Sequence, residues 1–198
     1  MIIEGLLSTA NEDGSVHVAA MGPVVNESLT EWTLRPFQTS RTFENLRRNT
    51  DCVFHVIDDV HLLVRVVLGR RIAPAFCAEA DVSWRQVDGG FVMTDACQWY
   101  KLRVTRWNVE SQRSEARAMV TSLGQHRPFW GWNRAKHAII EFTVLMTRLH
   151  LLEASFIDSE RERLSSAVDK TAGPQELEAW NLLISFWDSH QSQVAGQR

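Results

Sequence analysis

The apolar positions along residues 1–21 fall in two stretches, the first a β-prone run and the second alternating with polar residues, separated by one polar turn. Ile2, Ile3, Leu6 and Leu7 make a β-prone start, and Val16, Val18 and Ala20 repeat at a spacing of two. Between them stands Asn11-Glu12-Asp13-Gly14, where Asp-Gly supplies the positive φ of a tight reversal. This pattern predicts a β-hairpin, closed at its far end by Gly22-Pro23. Residues 29–37 (LTEWTLRPF) predict a third strand, stopped at Pro36. Residues 39–49 then change period: Phe43 and Leu46 give a short helix its apolar stripe, with Thr39 or Ser40 as N-cap and Glu44 near the positive end of the dipole. Residues 52–57 return to strand composition.

Further along, 61–68 is apolar and 70–74 reads as a surface connection. Segments 78–87 and 99–107 alternate and predict strands, with a turn at Asp88-Gly89-Gly90. Residues 107–119 mix both charge signs and read as a solvated face, and 138–143 is expected to form a last strand. Near residue 150 the period becomes helical. Phe156, Leu164 and Val168 mark one amphipathic segment; after Gly173-Pro174, Trp180, Leu183, Ile184 and Trp187 mark another. Short strands with turn signals between them argue for an antiparallel barrel rather than a doubly wound sheet. The expected chain is therefore mainly β with α: a barrel over 1–150 and a helical extension over 151–198, with a tail at 194–198 that frays.

Composition narrows the function classes. With 198 residues, 44% hydrophobic and 23% charged, the chain has the make-up of a soluble globular protein. A formal net charge of −3 predicts no general attraction to nucleic acid or to an anionic membrane. No apolar run reaches the roughly 20 residues that span a bilayer. The first residues carry Glu4 and no basic cluster, so a signal peptide is not expected. Cys52, Cys77 and Cys97 are odd in number and far apart, which suits a reducing cytoplasm and neither a disulfide framework nor a paired-cysteine metal site. Most of the 8 tryptophans read as packing. The basic and aromatic stretch 125–137 (QHRPFWGWNRAKH) could stack on bases, but the charge balance favours a loop that covers a core edge or meets a partner subunit.

Two constellations could carry chemistry. His55, Asp58, Asp59 and His61 are metal-ligand types, but they meet no known ligand spacing, and no metal is expected. The start of the helix at 39–49 is the stronger candidate. A helix N-terminus with three hydroxyls (Thr39, Ser40, Thr42) and a guanidinium (Arg41) can grip a phosphate through outward N–H groups and the dipole. An ordinary capped helix with a surface arginine fits the same residues. Gly22 likewise reads either as a place where a flat ligand approaches the backbone or as a plain strand terminator.

The segments EGLLSTANEDGSVHVAAMGPVV, RPFQTSRTFENLRRNTDCVFHVIDDV, HAIIEFTVLMTRLHLL and KTAGPQELEAWNLL resemble the DUF447 family of uncharacterised proteins, over nearly the whole chain. That family is similar in fold to flavin-reductase-like FMN-binding split barrels, and as a family it appears alongside tetrahydromethanopterin-linked one-carbon metabolism. The resemblance implies a split antiparallel β-barrel that forms a homodimer and holds FMN in the groove. It implies phosphate contacts at Arg35, Thr39, Ser40, Arg41 and Thr42, with Asn45 one turn on, and a flavin ring along Ala19, Ala20, Met21 and Gly22. The family more often has proline where Ala20 stands. No catalytic acid or nucleophile is implied, because a flavin carries its own chemistry. Three readings follow: a flavin-dependent oxidoreductase acting on a pterin or another small aromatic substrate; a non-enzymatic dimeric barrel that has lost flavin and binds a pterin or a protein partner; or a structural dimer whose tryptophan-rich loop 129–132 docks another protein.

Overall fold

The computed structural model describes residues 1–72, 82–110 and 113–195. The expected strand over 78–87 begins outside these residues, as do Cys77, 73–74 of the expected surface connection and the last three of the tail. The described chain divides into two compact units, one from 1–58 with the described part of 77–130, the other from 59–76 with 131–198. The compositional change near residue 150 lies inside the second unit, between two of its helices.

The first unit is the β structure. Strands β1 (Gly5–Ala10) and β2 (Val16–Met21) form the expected hairpin, with Leu7 opposite Ala19 and Thr9 opposite His17. Asn11 N–H donates to Ser15 O at 2.8 Å and Gly14 sits at φ 82°, so Asp-Gly serves as the turn. Strands β3 (Val24–Val25), β4 (Glu31–Leu34), β5 (Asp51–Val56), β8 (Gln98–Asn108) and β9 (Glu115–Gln125) complete a seven-stranded antiparallel sheet in the order β2-β1-β5-β8-β9-β4-β3. The sheet curls back on itself. Val24 bridges Ile2, Val25 N–H donates to Met1 O at 2.8 Å, and Ile3 N–H donates to Pro23 O at 3.3 Å. β3 is thus tied to the segment leading into β1, while β2 remains an edge. This is the expected split antiparallel barrel.

Inside it, Leu7, Trp32, Leu34, Cys52, Phe54, Tyr100 and Leu102 make one apolar cluster. Helix α1 (Arg41–Arg48) follows β4 and inserts Leu46, fully buried, into that cluster. A second, two-stranded sheet, β6 (Trp84–Val87) and β7 (Gly90–Met93), covers the other face of β1 and β5. It is anchored by Ser8 Oγ donating to Phe91 O at 2.7 Å and by Met93 N–H donating to His55 Nε2 at 3.0 Å.

The β6–β7 turn presses on a buried carboxylate. Asp51 takes a paired contact from Arg103 (2.7 and 3.0 Å) and lies 3.7 Å from Lys101. The Arg103 bond holds its carboxyl below the ordinary carboxylate range against the opposing effect of burial. Gly89 crosses here at φ 73°, and a Cβ on it would stand 2.2 Å from Asp51 Oδ2. Gly89→Ala is expected to destabilise the barrel by about 1–3 kcal/mol, from a positive-φ side chain and a displaced ion pair; the urea midpoint measures it, and a midpoint equal to wild type would refute the steric argument.

The core of the second unit is packed from four helices, α2 (Val60–Ile72), α3 (Arg134–Met146), α4 (Ala154–Thr171) and α5 (Pro174–Ala195). The last two were expected. Residues 138–143, expected as a strand, are helix instead. Asn133 caps α3, its side chain accepting from Lys136 N–H at 3.0 Å. Ala135, Ala138, Ile139, Phe142 and Met146 then face the helical core at helical spacing. A short apolar run such as AIIEF fits either period, and only the cap and the packing partners choose. Similarly α2, Val-rich and unassigned in the sequence, starts with Asp59 Oδ1 accepting from Leu62 N–H at 2.8 Å, and it takes in residues 70–72 of the expected surface connection. Phe142 and Trp180 pack at 5.1 Å between ring centroids, and Trp187 Nε1–H donates to Asp158 at 2.8 Å.

The expected role of tryptophan holds for some positions and fails for others. Trp32, Trp180 and Trp187 are buried. Trp130 and Trp132 are each 86% exposed, so those two rings of the 125–137 stretch cover no core edge.

Candidate functional site

The start of α1 is built as the sequence predicts. Ser40 is the N-cap, its Oγ accepting from Phe43 N–H at 3.2 Å and donating to Phe37 O at 2.7 Å. Glu44 N–H donates to Ser40 O at 3.2 Å. Of the first four amides of the helix, those of Arg41 and Thr42 are left without an acceptor among the described residues. They lie at the positive end of the helix dipole. Glu44 in the first turn and Arg47 and Arg48 in the last complement the dipole and steady the helix.

The remaining candidate side chains divide by what they touch. Thr39 and Arg41 are exposed. Thr42 is buried, with its Oγ1 3.3 Å from His17 Nε2 on β2. Asn45 is also buried; its Nδ2 donates to Thr9 Oγ1 and to Asn11 Oδ1, both at 3.0 Å. Arg48 adds bonds to Ala10 O at 2.7 Å and to Asn45 Oδ1 at 3.0 Å. Thr42 and Asn45 therefore lock α1 against the β1–β2 hairpin. Arg41 feels Asp13 at the hairpin turn, whose carboxyl is held below its ordinary range mainly by bonds from Ser15 and in small part by Arg41. Arg35, at the end of β4, makes a half-exposed ion pair with Glu115 at 3.3 Å.

Ala20, Met21 and Gly22 stand at the far end of β2, which pairs with β1 alone among the described strands. An edge strand presents alternate backbone N–H and C=O groups outward. His17 to Met21 spans about 13 Å at the usual rise per strand residue. Beside Gly22 the chain itself fills space: a Cβ there would meet Glu4 Oε1 at 2.7 Å and Ile2 at 3.0 Å. The close approach that makes glycine fit at this position is thus met by Glu4 and Ile2.

Asn11, His17 and Trp107 join the surroundings of α1 without any sign of it in the sequence. Asn11 reads there only as part of a turn, and His17 only as a polar position of an alternating strand. Trp107 on β8 meets Phe43 edge-on at 5.2 Å and lies under Arg47 at 5.5 Å, so it supports the other flank of α1. The metal-ligand types considered earlier are engaged otherwise. His55 bonds backbone on both ring nitrogens, Asp58 pairs with Arg127, and Asp59 caps α2. No group of three or more metal-ligand residues occurs among the described residues. Chemically, the α1 start offers amide donors and a cation, which suit holding an anion.

Residues 3–127 match the N-terminal domain, and residues 133–185 the C-terminal part, of the family described as protein of unknown function (DUF447). The chain belongs to the DUF447 family. No curated protein sequence matches it. Among solved structures, it is similar to an FMN-bound DUF447 protein from Methanosarcina mazei, at 22% identity, a TM-score of 0.76 and coverage of 93% of this chain and 94% of that one. It is also similar to a flavin reductase solved in complex with NADP+ (10% identity, TM-score 0.54, 65% of this chain and 81% of that one). A third likeness is to an FMN-binding protein from Thermus thermophilus (8% identity, TM-score 0.50, 63% and 70%). At these identities the DUF447 chain shares their fold, the flavin-reductase-like split barrel with added helices. No helix among its described residues is long and apolar enough to cross a membrane.

Proposed function

We propose that the protein binds FMN through its barrel, as a homodimer in a reducing cytoplasm, and serves as a flavin-dependent oxidoreductase acting on a pterin or another small aromatic substrate. The observation that carries this reading is the pair of unfilled amides at the start of α1, beside Arg41, in a fold shared over most of its length with an FMN-bound member of the same family. The residues present fit a phosphate in part. Arg41 and Thr39 are exposed, and the amides of Arg41 and Thr42 have no acceptor among the described residues, while Ser40, Thr42 and Asn45 act through the helix they fix. Arg35 could join them, since an ion pair as exposed as its contact with Glu115 is worth about 1 kcal/mol or less. The backbone of Ala20 and Met21 at the end of the edge strand, with Gly22 just past it, offers donors and acceptors to the rim of a flavin ring. Bound flavin supplies the redox chemistry, and the protein orients and shields it.

The internal engagement of Ser40, Thr42 and Asn45 favours the second reading, a non-enzymatic dimer that holds a pterin or a protein partner. One titration separates the two. Added FMN is expected to lose fluorescence on binding, and Arg41→Ala to weaken that binding by about 1.5–3 kcal/mol as a charge-assisted bond is lost. Failure of the wild-type protein to bind FMN removes the first reading; unchanged affinity in Arg41→Ala removes Arg41 from the site.

A further inference from the structure

A second concave site lies at the far end of the β8–β9 ribbon, a cavity of about 410 Å³ lined by Arg106, Asn108, Glu110, Glu115 and Arg117 with Trp107. A register shift between Val104 and Arg106 sets Arg106 directly opposite Arg117, and Asn108 opposite Glu115. Residues opposed in this way share a face of the sheet, with Cβ atoms about 4.5–5.5 Å apart. Both arginines are exposed. Like charges placed directly opposite each other destabilise a strand pair, so the arrangement calls for a counter-ion.

The protein supplies none among its described residues. Neither guanidinium takes a hydrogen bond or ion pair there. Glu115 lines the same cavity, yet it pairs with Arg35 at 3.3 Å. Glu110 lines it too, with its own N–H donating to Asn108 Oδ1 at 3.1 Å, which leaves the Asn108 amide N–H groups free to donate. The far wall is fixed from outside: Gln38 Nε2 donates to Val109 O at 3.0 Å, and Trp107 is held by Phe43 and Arg47.

We propose that Arg106 and Arg117 together bind the phosphate group of a small molecule in this cavity, with Asn108 as a further donor. Two flexible guanidiniums that line one cavity from opposed strand positions match an oxyanion with two or three free oxygens, in the paired geometry that arginine gives. The volume suits a small ligand. Glu110 and Glu115 at the cavity and the net charge of −3 disfavour an extended polyanion such as a nucleic acid. The phosphate-binding residues differ from those at the start of α1; the one link is Glu115, which pairs with Arg35, and neither Arg106 nor Arg117 depends on it.

The probe is inorganic phosphate, added at constant ionic strength against chloride, with the melting temperature of the whole chain as readout. Acetate in place of phosphate forms a second arm. Phosphate is expected to raise the melting temperature of wild type, and Arg41→Ala, which removes only the contact proposed at the start of α1, is expected to keep the part of that rise owed to this cavity. Arg106→Gln and Arg117→Gln are expected to weaken phosphate about tenfold or more, while in phosphate-free buffer they melt no lower than wild type because the repulsion is relieved. An equal response to acetate would show a general anion site and overturn the phosphate assignment. The proposal is also overturned by a wild type indifferent to phosphate, by an undiminished response in both glutamine variants, or by loss of the response in Arg41→Ala alone.

Discussion

Replacement of Trp32 by alanine is expected to cost the barrel about 3–5 kcal/mol, the usual range for deleting a buried large aromatic side chain. Trp32 is 1% exposed and stands at the centre of the barrel cluster. Its ring lies 5.0 Å from Phe54 and 5.0 Å from Tyr100, centroid to centroid. Its Nε1–H donates to Leu29 O at 2.9 Å, and that backbone is already strained, with Leu29 at φ 56°. The deletion therefore leaves a cavity, two aromatic rings without a neighbour and an unpaired carbonyl. Whole domains are stable by only about 5–15 kcal/mol, so the variant barrel should lie close to unfolding. Trp130→Ala, at an 86% exposed position, is the matched control and should shift stability by about 0.5 kcal/mol or less. Urea midpoints of the two variants decide the matter; equal shifts would mean that the barrel core does not depend on Trp32.

The second large effect is one of pH. His55 on β5 is fully buried. Its Nδ1 donates to Leu6 O at 3.2 Å and its Nε2 accepts from Met93 N–H at 3.0 Å, an assignment that requires the neutral ring. Burial lowers its pKa from 6.5 to about 4, against the bond to Leu6 and with a small contribution from His126. Between those two values the unfolded chain binds the proton and the folded chain does not. Stability from this group is therefore complete above pH 6.5 and falls as the pH drops toward 4, by about 3 kcal/mol in all. Below that, both states are protonated and the slope from this residue ends. The first part to loosen should be the β6–β7 sheet, which Met93 ties to His55. In His55→Gln an amide can make both bonds without titrating, so its stability should be flatter through this window. Parallel curves for wild type and variant would assign the pH dependence to other groups.

Much of the barrel could be read from the chain because its signals are local. The β1–β2 hairpin follows from alternation and Asp-Gly, and α1 follows from Ser40 and the Phe43–Leu46 spacing. The elements missed are those whose residues fit two periods. Residues 138–143 are apolar enough for a strand, and 107–119 look like a mixed-charge surface although Glu115–Gln125 form an 11-residue strand. Strand β9 hides because its inward side is Ala116 and Ala118, too small to announce a core face.

At the candidate site the sequence by itself determined which groups stand at the front of α1, since a cap and a first turn are set by neighbours along the chain. Which of them are free was decided only by tertiary structure. His17, Thr9 and Asn11 reach across from the hairpin to engage Thr42 and Asn45, while Arg41 stays exposed and the Arg41 and Thr42 amides have no acceptor among the described residues. The opposition of Arg106 to Arg117 is likewise a matter of register, fixed by a bulge in the β8–β9 pair. Local propensity acts over a few residues, whereas pairing across strands depends on partners dozens of positions away, and no spacing rule along the chain encodes that distance.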